Sequence, residues 1–130
     1  MPASATETIE AICRSYLEAW ARKDIRGIEA VLHPNVQFKA PMQELDGREA
    51  VVAATARMLP RLIAFEHAEQ FIAGDCAMFT YDFVCIDPIG LCRTAERVRI
   101  VDGLVRDIEL FFDARPFEAM QKAMAAAQRT

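Results

Sequence analysis

The sequence predicts an α+β protein, in which helices come first and an antiparallel sheet follows. Up to Pro60, apolar residues recur at the three- and four-residue spacing that is typical of one helix face. From residue 62 onward, strand-forming residues dominate, and Gly-Asp, Asp-Pro and Asp-Gly pairs interrupt them. Helices followed by a run of strands are characteristic of the α+β class.

The first predicted helix covers about residues 5–22. Ser4 and Glu7 have the spacing of a capping box at its start. Its apolar residues fall on one face, at Ile9, Ile12, Cys13, Tyr16, Leu17 and Trp20. Charged residues take the opposite face, so we expect this helix to be buried along one side.

Two shorter helices and a strand follow. Asp24 is the predicted N-cap of a helix over about 24–32, which His33-Pro34 ends. Residues 36–40 predict a short strand. The segment 46–49, Asp-Gly-Arg-Glu, opens a third predicted helix that ends before Pro60.

Four strands are predicted over about residues 62–72, 76–86, 91–101 and 104–112. The turns between them contain Gly74-Asp75, then 87–90, then Asp102-Gly103, which is a strong two-residue hairpin signal. Pro116 is tolerated in the first turn of a last helix, whose apolar stripe is Phe117, Met120 and Met124.

Composition limits the classes of function. The 130 residues fit one domain over 1–130, and 53% of them are hydrophobic. The formal net charge of −4 argues against nucleic acid as a partner, because nucleic-acid binding needs clustered Lys and Arg.

No apolar run approaches the roughly 18 residues of a membrane span, and residues 1–7 do not resemble a secretory signal. We therefore expect no membrane partner and a cytoplasmic location. The four cysteines form no CxxC pair, and we expect no metal and no cofactor.

The strand over 76–86 carries a second apolar set. Phe79, Tyr81 and Phe83 alternate with Thr80 and Asp82. If the set containing Thr80 and Asp82 lines an interior, the aromatic set faces outward and needs a cover. A second copy of the chain is the simplest cover, so the alternation predicts a homodimer.

Two segments carry a family resemblance. One runs from Tyr16 through Asp24 to Ala40-Pro41, and the other is 46–51, Asp-Gly-Arg-Glu-Ala-Val. In order and spacing they resemble the opening of SnoaL-like, ketosteroid isomerase-like proteins of the nuclear transport factor 2 (NTF2-like) superfamily. The resemblance implies a cone-shaped fold, in which a curved, mostly antiparallel sheet wraps around the long N-terminal helix and leaves a deep apolar pocket.

The resemblance also implies roles for single residues. Tyr16 matches the phenol that donates a hydrogen bond to the substrate oxyanion in the isomerase. Ala40 stands where the isomerase has the aspartate that moves the proton, so we expect no useful ketosteroid isomerisation. Glu96 falls where the isomerase keeps a protonated aspartate as a second oxyanion donor.

Strand alternation and helix period together predict the pocket lining. Catalytic candidates are Tyr16, Asp82 as the base, and Glu96. Ligand-binding candidates are Trp20, Phe38, Thr80, Thr94, Ile108, Leu110 and Phe112. Two functions stay open. One is a SnoaL-like enzyme (isomerase, cyclase or dehydratase) that acts on a small apolar oxygenated substrate. The other is a non-catalytic ligand-binding or assembly protein with Tyr16 as a core residue and the two carboxyls solvated.

Overall fold

A computed structural model describes residues 5–128 of the chain. Four α-helices and six strands follow one another in this order: α1 (Ala5–Ala21), α2 (Ile25–Val31), β1 (Leu32–Ala40), β2 (Gln43–Asp46), α3 (Arg48–Met58), a 3-10 turn (Leu59–Arg61), β3 (Leu62–Ala73), β4 (Cys76–Cys85), β5 (Leu91–Val101), β6 (Leu104–Phe111) and α4 (Arg115–Gln128). The predicted cap at Ser4 lies outside the described residues. No helix among residues 5–128 is long and apolar enough to cross a membrane.

The six strands form one curved, open sheet in the order β2-β1-β6-β5-β4-β3. All neighbours are antiparallel except β1 and β6, which run parallel with Phe38 opposite Ile108. This is the predicted α+β, NTF2-like fold. Helix α1 packs on β3 and β4 with its predicted apolar face, in which Cys13, Tyr16 and Leu17 are buried. The long helix therefore covers the sheet beside the strands that carry the candidate site.

The N-cap of α2 explains why Asp24 is followed by glycine three residues later. The side chain of Asp24 accepts a hydrogen bond of 3.0 Å from the backbone N–H of Gly27, as predicted for an N-cap. A Cβ at Gly27 would lie 2.6 Å from the Asp24 carboxylate, so this cap requires glycine three residues later. Helix α2 places Ile28 in the core beneath α1.

Two parts of the sheet differ from the sequence prediction. Strand β2 was not predicted, because Glu44 and Asp46 make it too polar to be recognised, and it pairs with β1 at the sheet edge. Strand β1 starts at Leu32 instead of residue 36 and includes Pro34, whose missing N–H is tolerated because no partner is paired with it there.

The predicted facing of β4 is wrong. Phe79, Tyr81 and Phe83 are buried and point into the interior, whereas Thr80 is exposed and Asp82 is half-buried on the outer face. The cause is the register across the turn, because each odd residue of β4 lies opposite an even residue of β5, as in Tyr81 opposite Thr94. Side chains of opposite residues share a face of the sheet. The aromatic stripe therefore gives no support to the predicted homodimer.

Candidate functional site

An apolar cavity of about 290 Å³ lies between α1, α3, the inner face of the sheet and α4. Its lining is mostly aromatic and aliphatic, and the polar groups come from a few strand and helix positions. The lining residues are Tyr16, Trp20, Phe38, Ala40, Met42, Gln43, Leu45, Val51, Ala54, Thr55, Met58, Tyr81, Phe83, Cys92, Thr94, Glu96, Leu110, Phe112, Phe117, Met120 and Gln121. A concave apolar site with few polar groups is the usual form of a small-molecule pocket.

Glu96 is the ionisable carboxyl of this lining, and strand alternation on β5 places it there. Every second residue from Cys92 to Ile100 is buried, and Glu96 is only 3% exposed. Its neighbour on β6 is Leu110 and its neighbour on β4 is Phe79, so both adjacent strands present apolar side chains to it.

Two tyrosine hydroxyls bind the Glu96 carboxyl, one on each oxygen. Tyr16 donates to Oε2 and Tyr81 donates to Oε1, each at 2.7 Å. Tyr16 comes from the buried face of α1 and Tyr81 from the inner face of β4, and both are buried. The fold therefore brings together three polar groups from residues 16, 81 and 96 inside an apolar environment.

The environment raises the pKa of Glu96 from 4.5 to about 7. Burial is the cause, because it disfavours the charged form, while the hydrogen bonds from Tyr81 and then Tyr16 oppose the rise. The pKa of each tyrosine is raised well above its ordinary value, first by burial and then by the negative charge of Glu96. Glu96 thus changes its charge near neutral pH, while both phenols stay protonated.

Trp20 lies one helical turn after Tyr16 and lines the same cavity. Its indole N–H is buried and has no hydrogen-bond acceptor within residues 5–128. The same N–H opposes the burial-driven rise in the pKa of Tyr16, so it acts on the phenol oxygen although its geometry falls short of a hydrogen bond. The ring itself stacks on Phe65, with centroids 6.2 Å apart, and meets Phe83 edge-on at 5.8 Å.

The structure places most of the predicted site residues at the cavity. The lining includes seven of them: Tyr16, Trp20, Phe38, Thr94, Glu96, Leu110 and Phe112. Asp82 and Thr80 point to the outer face instead, and Asp82 lies 3.7 Å from Arg93 of the next strand. Ile108 is 3% exposed and belongs to the hydrophobic core. The prediction that Asp82 shares the cavity with Glu96 is therefore wrong.

Tyr81 is the polar cavity residue that sequence reasoning placed on the wrong face. The signal that could have found it is the strand partner, because Tyr81 lies opposite Thr94, which was predicted to face inward. Phe83 follows for the same reason, since it lies opposite Cys92. A correct count across the turn at 86–90 would have assigned both.

Helix α4 forms one wall of the cavity with Phe117, Met120 and Gln121. No described residue of this helix is buried, and its contact with the rest of the chain includes the Phe112–Phe117 ring pair, with centroids 5.1 Å apart. Helix α4, which separates the cavity from solvent on this side, is thus the least buried of the described helices.

The sequence also matches a known domain. The profile of the SnoaL-like domain matches residues 13–108, which is more than half of the chain. The chain belongs to the SnoaL-like family. In this chain, Ala40 lines the cavity at the position that the resemblance assigns to the isomerase base. Its methyl group can accept no proton. No curated protein sequence matches this SnoaL-like chain at a significant level.

Solved structures similar to this SnoaL-like protein share its fold at low sequence identity. An NTF2-like protein of unknown function from Cytophaga hutchinsonii has a TM-score of 0.75 and 18% identity, with 91% of this chain and 99% of that chain covered. A provisionally assigned ketosteroid isomerase from Kribbella flavida has a TM-score of 0.75 and 18% identity, with 82% and 78% covered. A provisionally assigned polyketide cyclase from Sinorhizobium meliloti has a TM-score of 0.71 and 18% identity, with 78% and 94% covered. At such identity these similarities show the fold alone.

Proposed function

We propose that this SnoaL-like protein is an acid–base enzyme that moves a proton on a small, mostly apolar substrate with a carbonyl or hydroxyl oxygen. The observation that carries the proposal is the Glu96 carboxyl, which is buried in an apolar cavity between two tyrosine hydroxyls. Glu96 takes the role of the base, because Asp82 is outside the cavity and Ala40 cannot accept a proton.

The chemical step that suits this geometry is proton transfer beside a carbonyl group. The Glu96 carboxylate takes a proton from the carbon next to the carbonyl, the electrons of that C–H bond form the enolate, and Glu96 returns the proton to another atom of the substrate. Isomerisation, aldol-type cyclisation and dehydration all contain such a step. A base is most effective when its pKa lies near the working pH, where it contributes roughly 10²–10⁴-fold. The pKa of about 7 meets that condition.

The surroundings of Glu96 fit this role. The tyrosine hydroxyls fix the carboxyl in one orientation, since each carboxyl oxygen accepts one hydrogen bond of 2.7 Å. They also stabilise the carboxylate relative to the neutral acid, and so keep the pKa from rising further. The lining around the carboxyl is mostly apolar, and such a low-dielectric environment strengthens electrostatic interactions with the substrate.

A second candidate function is non-catalytic ligand binding in the same cavity. The observation in its favour is that the hydroxyls of Tyr16 and Tyr81 both donate to Glu96, so neither is directed at a ligand oxygen. An enzyme that forms an enolate needs a donor for the developing negative charge. In the binding function no such donor is required, and Glu96 only selects the ligand.

Hydrogen–deuterium exchange in small ketones separates the two functions without knowledge of the natural substrate. Ketones that change the fluorescence of Trp20, the one tryptophan in the chain, are first selected as binders. Their exchange in D₂O is then followed by proton NMR with wild-type protein, Glu96→Gln and the matched control Asp82→Asn.

The enzyme function predicts faster exchange with wild type and with Asp82→Asn, and a loss of about 10²-fold or more with Glu96→Gln. Equal exchange rates for wild type and Glu96→Gln with a bound ketone would contradict catalysis by Glu96 and leave the binding function.

A further inference from the structure

Among residues 5–128, the Glu96 carboxyl has no cationic partner. None of the cavity-lining side chains within residues 5–128 is Lys, Arg or His. The pKa of Glu96 is likewise set by its burial and by hydrogen bonds from two neutral phenols. A buried carboxylate is normally paired with a cation, because its desolvation is otherwise uncompensated. When Glu96 is ionised, the cavity lining within residues 5–128 thus supplies no counter-charge, and a bound cation would supply one.

The walls around this charge are rich in aromatic rings. Seven lining side chains are aromatic: Tyr16, Trp20, Phe38, Tyr81, Phe83, Phe112 and Phe117. Several of these rings are closely grouped, with centroids of Trp20 and Phe83 5.8 Å apart and those of Tyr81, which binds Glu96, and Phe83 6.3 Å apart. The face of an aromatic ring attracts a cation within about 6 Å of its centroid, and most strongly when the cation is desolvated.

We propose that the cavity also binds small apolar organic ammonium ions, with the positive charge beside the Glu96 carboxylate and the alkyl groups against the aromatic walls. Such an ion has two properties that match the cavity. It carries one weakly hydrated positive charge, and the rest of its surface is hydrophobic. The inference rests on the cavity of the proposed function but not on any chemistry there. In the enzyme, an ammonium ion would compete with substrate for the same space.

Between pH 5.5 and 8, Glu96 is the group of this site that changes its charge. The other titratable groups facing it are Cys13 and Tyr16 on α1, Tyr81 on β4, and Cys92 on its own strand. Burial raises the pKa of each, that of Cys13 to about 11, so all four stay neutral. From β3, His67 is exposed and contacts the ring of Phe79. Because Glu96→Gln retains His67, that variant shows any contribution of the histidine separately.

The test compares two probes of the same shape, phenyltrimethylammonium and tert-butylbenzene. The quaternary ion keeps its charge at every pH, so any pH dependence belongs to the protein. Binding is titrated by the fluorescence of Trp20 in wild type, Glu96→Gln and the control Asp82→Asn. Binding of tert-butylbenzene shows for each variant that the cavity is intact.

We expect wild type and Asp82→Asn to bind the ammonium probe at least about tenfold more tightly than the neutral probe at pH 8. Below the pKa of about 7, this preference falls about tenfold for each pH unit, because the carboxylate must first form. Glu96→Gln keeps the neutral probe and loses the preference. If Glu96→Gln does not fold, the pH profile of wild type alone decides.

Equal affinities for the two probes in wild type, or a preference that is independent of pH, would overturn the inference. A preference that survives in Glu96→Gln would assign it to surface carboxylates and also overturn it. These outcomes are distinct from those of ketone exchange. Exchange without an ammonium preference refutes only this inference, and an ammonium preference without exchange refutes only the catalytic role.

Discussion

The replacement of Glu96 by glutamine gives a quantitative test of the buried carboxyl. Glutamine has the same shape, and its amide can accept from one tyrosine hydroxyl and donate to the oxygen of the other. The variant therefore keeps the packing around Tyr16 and Tyr81 and removes only the ionisation. The difference in the free energy of unfolding between wild type and Glu96→Gln then reports the free-energy cost of ionising Glu96 in its cavity.

The magnitude follows from the pKa. Glu96 titrates at 4.5 when unfolded and at about 7 when folded, so the folded state binds this proton more tightly. Its contribution to the free energy of unfolding is therefore fully present below about pH 4.5 and is lost as the pH rises through about 7. Because a tenfold change in proton affinity is worth about 1.4 kcal/mol, the loss amounts to about 3 kcal/mol. That is a large share of the stability of a small domain.

Urea unfolding between about pH 4.5 and pH 8 measures this loss. Other titrating groups affect both proteins alike, so the difference between wild type and Glu96→Gln isolates Glu96. We expect the stability of wild type to fall by about 3 kcal/mol relative to Glu96→Gln over this range. Asp82→Asn should parallel wild type, because Asp82 is on the outer face beside Arg93. Parallel curves for wild type and Glu96→Gln would refute the argument that burial raises the pKa of Glu96.

Three further predictions follow from the same geometry. Tyr81→Phe and Tyr16→Phe should each raise the pKa of Glu96 further in a carboxyl NMR titration, because each removes a hydrogen bond that favours the carboxylate; an unchanged or lower value would contradict the two 2.7 Å bonds. A standard steroid isomerase assay should detect no useful turnover, because Ala40 supplies no base; robust activity would mean that another residue acts there. The predicted homodimer now depends on outer-face side chains such as Phe71 and Met78, which are 63% and 40% exposed and lie opposite each other; sedimentation should give a dimer that Phe71→Glu splits, and a 14.6 kDa monomer for wild type would contradict it.

The helices and most of the sheet could be predicted because local signals mark them. The apolar face of α1, the cap at Asp24 and the hairpin at Asp102-Gly103 each act within a few residues. The outer ion pair Arg97–Glu109 depends in addition on a one-residue register shift between Arg99 and Ile100, which the two-residue turn alone does not predict. Alternation along each strand placed Glu96 and Leu110 correctly on the inner face.

The rest depended on register and on distant partners. The turn between β4 and β5 is longer, so the alternation within β4 alone could not decide which of its faces points inward. The prediction therefore placed Asp82 on the inner face and Tyr81 on the outer face, which is the reverse of the structure. The parallel pairing of β1 with β6 joins residues about 70 positions apart, as in Phe38 and Ile108, and no local pattern reports it. The hydrogen bonds that join Tyr16, Tyr81 and Glu96 combine three separate elements and became visible only in the folded arrangement.

The central claim is that Glu96 is a buried carboxyl that titrates near neutral pH between two tyrosine hydroxyls. Carbon-13 NMR of the glutamate side-chain carboxyls, with the Glu96 signal assigned by its loss in Glu96→Gln, tests this claim most directly. We predict a midpoint of about 7 for Glu96. A midpoint near the ordinary 4.5 would show that the carboxyl is solvated, and would contradict both the acid–base function and the cavity on which it depends.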